Sequence, residues 1–387
     1  KQTLSIRSLS NLPIIIDSVC YKNKTQELNW VIAPNDEVEK IVYFDSISIA
    51  QKKLKIYSRI LGTAPTRKYK AKVFSQKDLV SSPVFREEFD SSYFNFNEIE
   101  KSFVLKTKKI QLNKDLYIPD LGMTWIIEPG TIIELNHANI ICESNVKANG
   151  LTEKKIYFSG KNSGGILLKN NSTESSFSNT VFSSLAAPTQ GNWSLTGAVN
   201  FYNTQVKLQS CSFNNMQSED ALNLVNCTFQ LEDIYINNSY SDALDIDFGK
   251  GTITNITIDS AKNDGLDFSG STIQLESVTL RNIGDKAISS GEKSIITCSN
   301  VIIFNSFIGV ASKDASFIKV NLLNLVNTKI DFTAYQKKAQ YDMAKIEIIN
   351  SGLNSPKTYI EKGSLLIIDE KKISGDKLEV YNNLYPK

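Results

Sequence analysis

Aspartates recur at a fixed interval through the centre of this 387-residue chain. Asp220, Asp242 and Asp264 stand 22 residues apart, as do Asp245 and Asp267, with Asp247 beside them. Lys286 takes the next place in the first series, and Lys313 follows. Carboxylates at one phase of a repeat become neighbours, and like charges on adjacent rungs repel. Three arrangements relieve the repulsion. Protonating one carboxyl makes a general acid. A bound Ca2+ turns Asp242, Asp245, Asp247, Asp264 and Asp267 into an all-oxygen hard-cation site. Neighbouring lysines make a salt-bridged ladder that serves stability and solubility. Lys286 or Lys313 is then a candidate base beside the cation, and Asp245 with Asp267 a candidate acid and base pair. Adjacent rungs set them about 5 Å apart, the separation of a retaining pair. Asp285, Glu292, Asp314, Tyr335 and Lys337 extend the strip as substrate-binding candidates. The bland reading stands beside these. Asp at a corner caps a tight turn, which suits Asp220, Asp242 and Asp264, and strand lysines are usually solvated.

The interval belongs to a longer pattern. Asp220-Ala-Leu-Asn-Leu, Asp242-Ala-Leu-Asp-Ile, Asp264-Gly-Leu-Asp-Phe, Lys286-Ala-Ile-Ser-Ser, Ile308-Gly-Val-Ala-Ser and Ile330-Asp-Phe-Thr-Ala begin 22 residues apart without slippage. A sustained repeat of this length is a solenoid or an array. Its strand runs, such as Thr272-Ile-Gln-Leu and Val278-Thr-Leu, are too short for paired helices. No Leu-x-x-Leu-x-Leu frame is kept either. The expected fold is therefore all-β: a right-handed single-stranded parallel β-helix of about 22 residues per coil. Strand alternation then sorts the columns. Leu222, Leu244, Leu266, Ile288, Val310 and Phe332 face the core. Asn223, Asp245, Asp267, Ser289, Ala311 and Thr333 face outward, as do Val225, Asp247, Ser269, Gly291, Lys313 and Tyr335. Asn238, Asn282, Asn305, Asn327 and Asn350 suggest an internal amide ladder at one corner.

Outside the repeat, residues 1–102 read as a small β-rich domain or cap with a linker. Strand runs there include Leu12-Pro-Ile-Ile-Ile and Leu28-Asn-Trp-Val-Ile, with a turn at Ala33-Pro-Asn-Asp. The β-helix is expected over 103–355 and a C-terminal cap or tail over 356–387. Gly164-Gly-Ile-Leu-Leu and Gly197-Ala-Val-Asn-Phe are separated by 33 residues, so an inserted loop over 170–193 is expected between them.

Composition narrows the classes. With 43 basic and 41 acidic residues and no dominant basic face, nucleic-acid binding is not indicated. No run of 18 apolar residues is present, so no membrane span is expected. The five cysteines show no zinc spacing and read as buried thiols. The single histidine, His137, excludes mechanisms that need two. The chain starts at Lys1 without methionine, which a removed signal peptide and a fragment boundary explain equally.

The run Gly284-Asp-Lys-Ala-Ile-Ser-Ser-Gly-Glu-Lys-Ser, followed by Ile308-Gly-Val-Ala-Ser-Lys-Asp, carries a family resemblance. So do Leu195-Thr-Gly-Ala-Val-Asn-Phe-Tyr, Ser241-Asp-Ala-Leu-Asp-Ile-Asp-Phe and Ala334-Tyr-Gln-Lys-Lys. Over about residues 105–355 the chain resembles bacterial right-handed parallel β-helix proteins of the pectate-lyase-like superfamily. That group includes lyases, hydrolases, epimerases and non-catalytic adhesins, so the resemblance speaks for fold before activity. Some of these proteins look associated with spore-coat-type kinase domains, which implies a kinase-domain or envelope-protein partner. The Gly-His-Gly and Arg-Ile-Lys segments of polygalacturonase-type sites are absent, and only Asp245, Asp247 and Asp267 echo the acidic part. The histidine of alginate-epimerase-type sites is absent as well. Pectate-lyase-type sites join Asp-bound Ca2+ to a basic residue, which the strip matches in kind; the resemblance thus implies β-elimination, in which Ca2+ on Asp245, Asp247 and Asp267 neutralises a uronate carboxylate and Lys286 or Lys313 abstracts the acidified proton. The expected function is an extracytoplasmic protein acting on an acidic polysaccharide, as a Ca2+-assisted lyase or a glycoside hydrolase. The alternative is a non-catalytic envelope or surface module that binds a glycan or a protein.

Overall fold

Leu222, Leu244, Leu266, Ile288, Val310 and Phe332 are all fully buried. They stand in single file because each strand pairs in parallel with its counterpart on the next coil. A computed structural model describes residues 2–7, 13–21, 24–33, 37–42, 54–61, 67–70 and 89–386, apart from 171, 172, 191, 192 and 354. The chain divides into two compact units, Lys1–Arg86 and Glu87–Lys387. The second is an all-β solenoid of about 11 turns with about 23 residues per turn. Stacking alternate apolar side chains from every coil makes one continuous core, from Phe94 and Phe103 at one end to Leu366 and Ile368 at the other.

Both ends of the solenoid are closed by reversing the strand direction. Phe94–Asn97 pairs antiparallel with Ser102–Leu105, and Lys371–Ser374 pairs antiparallel with Leu365–Ile368. A β-helix otherwise ends in an unpaired edge that invites another chain, and the two hairpins blunt it. The short helix Val380–Leu384 follows the second hairpin. No helix among the described residues is long and apolar enough to cross a membrane.

Two local expectations are corrected. Residues 170–193 are not one inserted loop. Ser175–Ser178 and Thr180–Ser183 are regular rungs, paired to Gln205–Gln209 and Ser212–Asn214. Their Ser- and Thr-rich composition hides an alternation that buries Phe177 and Phe182. The extra chain lies after them and carries the small hairpin of Thr189–Gln190 with Trp193–Ser194. The amide ladder is exposed rather than internal. Asn327 donates to Asn305 at 2.5 Å, Asn305 to Asn282 at 3.0 Å, and Asn238 to Asn215 at 2.7 Å. These residues have φ near +55 to +60°, the left-handed corner conformation that Asn tolerates. Asn350 belongs to another corner, where it donates to Asn321 at 2.8 Å.

The N-terminal unit is β-rich. Lys24–Ile32, Ile14–Tyr21, Leu54–Ile60 and Arg67–Lys70 form an antiparallel four-stranded sheet in that order. Gln2–Arg7 pairs with Glu37–Val42. The turn expected over 34–36 and the start of the linker expected over 87–102 lie outside the described residues; the rest of that stretch is no linker but part of the solenoid, where Phe94–Asn97 pairs with Ser102–Leu105.

Candidate functional site

The strand Asp242–Asp247 reads Asp-Ala-Leu-Asp-Ile-Asp, so Leu244 and Ile246 point into the core while Asp245 and Asp247 point away. The next coil repeats the pattern in register, with Asp245 beside Asp267 and Asp247 beside Ser269. Asp220 pairs with Asp242 one coil earlier, and Asp267 faces Ser289 one coil later. The outward columns thus have the register expected from the 22-residue interval. Their exposure does not. Asn223, Ser289, Ala311 and Thr333 are buried, whereas Asp245, Asp247, Asp267 and Ser269 keep partial access to solvent. The strip is a narrow window of carboxylates rather than an open wall.

The corner aspartates hold the chain. Asp242 Oδ1 accepts the Asp264 backbone N–H at 2.8 Å and the Asn263 amide at 2.6 Å. Asp264 Oδ1 accepts the Lys286 backbone N–H at 3.1 Å and its ammonium at 2.9 Å. Each of these two caps the corner of the coil above it. Lys286 also pairs with Asp285. Lys313 reaches across two coils to Asp267 at 3.5 Å. Both lysines are therefore neutralised inside the protein. Burial alone would lower their pKa values, but Asp264 and Asp285 beside Lys286, and Asp267 beside Lys313, raise them above the ordinary range.

The carboxyls divide by environment. Burial pushes Asp245 well above the usual range, and the nearby Asp247, Asp220 and Asp267 add to the effect. The Asn223 amide donates to Asp245 Oδ2 at 3.0 Å. Asp267 is the exception. Burial raises it, but Lys313, the Ser289 hydroxyl and Lys286 together bring it below the usual value. Burial is also the main cause that lifts Asp220 to about 8, and Asp247 and Asp264 to about 7. Asp245 and Asp267 are thus adjacent carboxyls whose environments shift them in opposite directions, the pattern that separates acid and base roles.

This distribution has a consequence for stability. Asp220, Asp247 and Asp264 keep protons in the folded protein that the unfolded chain releases near pH 4. The unfolded state then binds fewer protons, so stability declines as pH rises from about 4 to 8. Asp267 acts oppositely, and its contribution is lost only as pH falls through its depressed pKa. Calorimetry is expected to show a higher Tm at pH 5 than at pH 8, with a shallower decline in Asp247→Asn. A Tm that climbs over that range would mean the carboxyls are ionised in the fold.

The remaining candidates of the strip change role. Tyr335 is no open platform: it is 1% exposed and stacks against Tyr381 of the C-terminal helix, centroids 6.2 Å apart. Asp314 is buried and accepts the backbone N–H groups of Lys337 and Lys338 at 2.7 Å each. Glu292 is buried and pairs with Lys338. Both carboxylates are occupied in holding the segment after Tyr335. Lys337 is exposed, its ammonium 5.3 Å from the Tyr381 ring centre. Asp285 accepts the Tyr385 hydroxyl at 2.9 Å. The periodic pattern carries no signal for Tyr381 or Tyr385, because they arrive from beyond the repeat.

The five carboxylates considered for Ca2+ do not converge. Among the described residues, no group of three or more His, Cys, Asp or Glu side chains is gathered as a metal site. Asp242 and Asp264 are taken by backbone N–H groups, and Asp267 by Lys313. The donor set does not fit the ion. His137 sits exposed at a corner with φ of 55°, several coils from the strip. Cys142, Cys211, Cys227 and Cys298 are buried.

Fold and strip together define a β-solenoid with a row of desolvated carboxyls on one face. No protein-family model and no curated protein matches the chain. Among solved structures it is similar to the enzymatically active domain of tailspike protein 2 of bacteriophage CBA120, with TM-score 0.40 and 12% identity. That match covers 68% of this chain and 47% of the other, so the chain spans about half the tailspike length. It is also similar to the periplasmic alginate epimerase AlgG, with TM-score 0.37 and 11% identity over 76% and 79% of the two chains. A third is the catalytic domain of GH87 alpha-1,3-glucanase in complex with nigerose, with TM-score 0.32 and 9% identity over 95% and 86%. Likeness at this level bears on none of the chemistry, which rests on the strip itself.

Proposed function

We propose that the chain is a glycoside hydrolase acting on an uncharged polysaccharide laid along the solenoid axis. Asp245 is the general acid and Asp267 the ionised partner. The observation that carries this reading is the register pairing of two partly accessible carboxyls on adjacent coils, whose surroundings shift them in opposite directions, Asp245 up by burial and Asp267 down by Lys313. Asp245 donates its proton to the leaving glycosidic oxygen. Asp267 faces the anomeric carbon, forms the glycosyl ester, and Asp245 then activates the water that releases it. Adjacent rungs lie about 4.8 Å apart, which favours this retaining course over inversion.

β-Elimination by Lys286 or Lys313 is less well supported. A base must lose its proton, and both ammonium groups are stabilised by buried carboxylates. An acidic sugar would meet Asp267 and find both lysines paired, so an uncharged chain suits the window better. Two assays on a panel of neutral and uronate polysaccharides test the reading. New reducing ends should appear with neutral chains, and the first-formed anomer should match the substrate. Absorbance of unsaturated ends from uronates would replace hydrolysis with elimination. Binding without any cleavage would make the protein a glycan-binding module.

A further inference from the structure

We propose that Tyr381, Tyr385 and Lys337 form a sugar-binding subsite at the C-terminal end of this carboxylate strip. The inference rests on the glycan-cleaving reading above and extends it to how the chain is held. The three residues lie outside the 22-residue pattern and are assembled by the tail. A five-residue helix does not stand alone in water, and Val380–Leu384 is tied down at several points. Val380 is fully buried. Glu361 accepts the Val380 N–H at 3.3 Å with one oxygen and the Gln336 N–H at 2.6 Å with the other. A single carboxylate thereby fastens the helix start to the segment that carries Lys337.

This fastening sets Tyr385 against Lys286 and Asp285, on the coil after Asp267. The Tyr385 ring lies 5.3 Å from the Lys286 ammonium, and its hydroxyl donates to the Asp285 carboxylate at 2.9 Å from either oxygen. Lys286 belongs to the coil that follows Asp267. Tyr381 packs against Tyr385 at 5.4 Å and against Tyr335, three coils beyond Asp267. At the rung spacing the rings extend from about 5 to about 15 Å past the acid pair, room for more than one sugar ring. Tyr381 and Tyr385 remain half-buried, so part of each ring faces outward. An aromatic ring with an apolar body and a polar tip suits the mixed surface of a pyranose. The exposed Lys337 ammonium adds three donors for hydroxyl groups. The ligand class is an uncharged glycan, since Lys286, Lys313 and Lys338 are already paired with carboxylates.

The test uses the full chain and neutral glucan oligosaccharides of two and six residues, α- and β-linked. Calorimetry in an Asp267→Asn background measures binding without turnover. Tyr385→Ala and Tyr381→Ala are each expected to weaken the six-residue probe about tenfold. Tyr385→Phe, which keeps the ring, should retain most of the affinity, and a Tm close to the parent's confirms the fold. In the otherwise unaltered enzyme, the kcat/KM advantage of the six-residue over the two-residue chain should vanish with Tyr385→Ala. Unchanged affinity in both alanine variants overturns the subsite and leaves the hydrolase reading standing. Faster hydrolysis in either alanine variant also overturns it, because the rings would then be an occluding cover. Tyrosine-dependent binding without turnover by the unaltered protein sustains the subsite and removes the hydrolase. No binding of any probe overturns both.

Discussion

Asp267→Asn and Asp245→Asn are each expected to reduce glycan hydrolysis by about 10³-fold or more, with secondary structure unchanged. The two losses should differ in kind. Asp267→Asn removes the ionised partner of Lys313, so no ester forms on any substrate. Asp245→Asn removes the proton donor, and activity should partly return with a leaving group that needs no proton, such as an activated aryl glycoside. The double variant should be little worse than the single ones, because the residues act as a unit. The pH profile follows from the same environments. Turnover rises as Asp267 ionises, below the ordinary Asp range, and falls as Asp245 gives up its proton, well above it. Reducing-end assays from pH 3 to pH 9 measure both limbs. Identical losses on natural and activated substrates would contradict the assignment of Asp245 as the acid.

Lys286→Ala is expected to cost about 3–5 kcal/mol of folding stability at pH 8. Its ammonium serves Asp264 and Asp285 at once, and the side chains of Lys286 and Asp264 are only 9% and 3% exposed. Removing the cation leaves carboxylates in a region with little water. The loss should shrink at pH 5, where Asp264 takes up a proton instead. Lys286→Met with Asp264→Asn should recover much of the difference, since uncharged groups then fill the site. Urea unfolding at the two pH values measures this. A cost below about 1 kcal/mol at both would mean that the pair behaves as a solvated surface contact.

Much of the strip is legible in the sequence. The interval of 22 assigns Asp245 to Asp267 and Asp247 to Ser269, and the sheet has that register. The core file from Leu222 to Phe332 was equally readable, since alternation and stacking are local rules. The rungs at Ser175–Ser178 and Thr180–Ser183 were not, because polar outward residues outnumber the apolar ones that define their phase. Tyr335 departs from its column for a different reason. Its column faces outward, but a helix from beyond the repeat stacks on it.

The sequence by itself therefore determined the solenoid and the order of side chains along it, because a coil's neighbours are always the coils before and after. The tertiary structure alone decided which of those side chains meet water and which keep a proton. Those properties depend on contacts that obey no period: Tyr385 reaches Asp285 from 100 residues away, and Lys313 reaches Asp267 from 46. Desolvation and charge pairing act through distance in space, and a repeat records only distance along the chain.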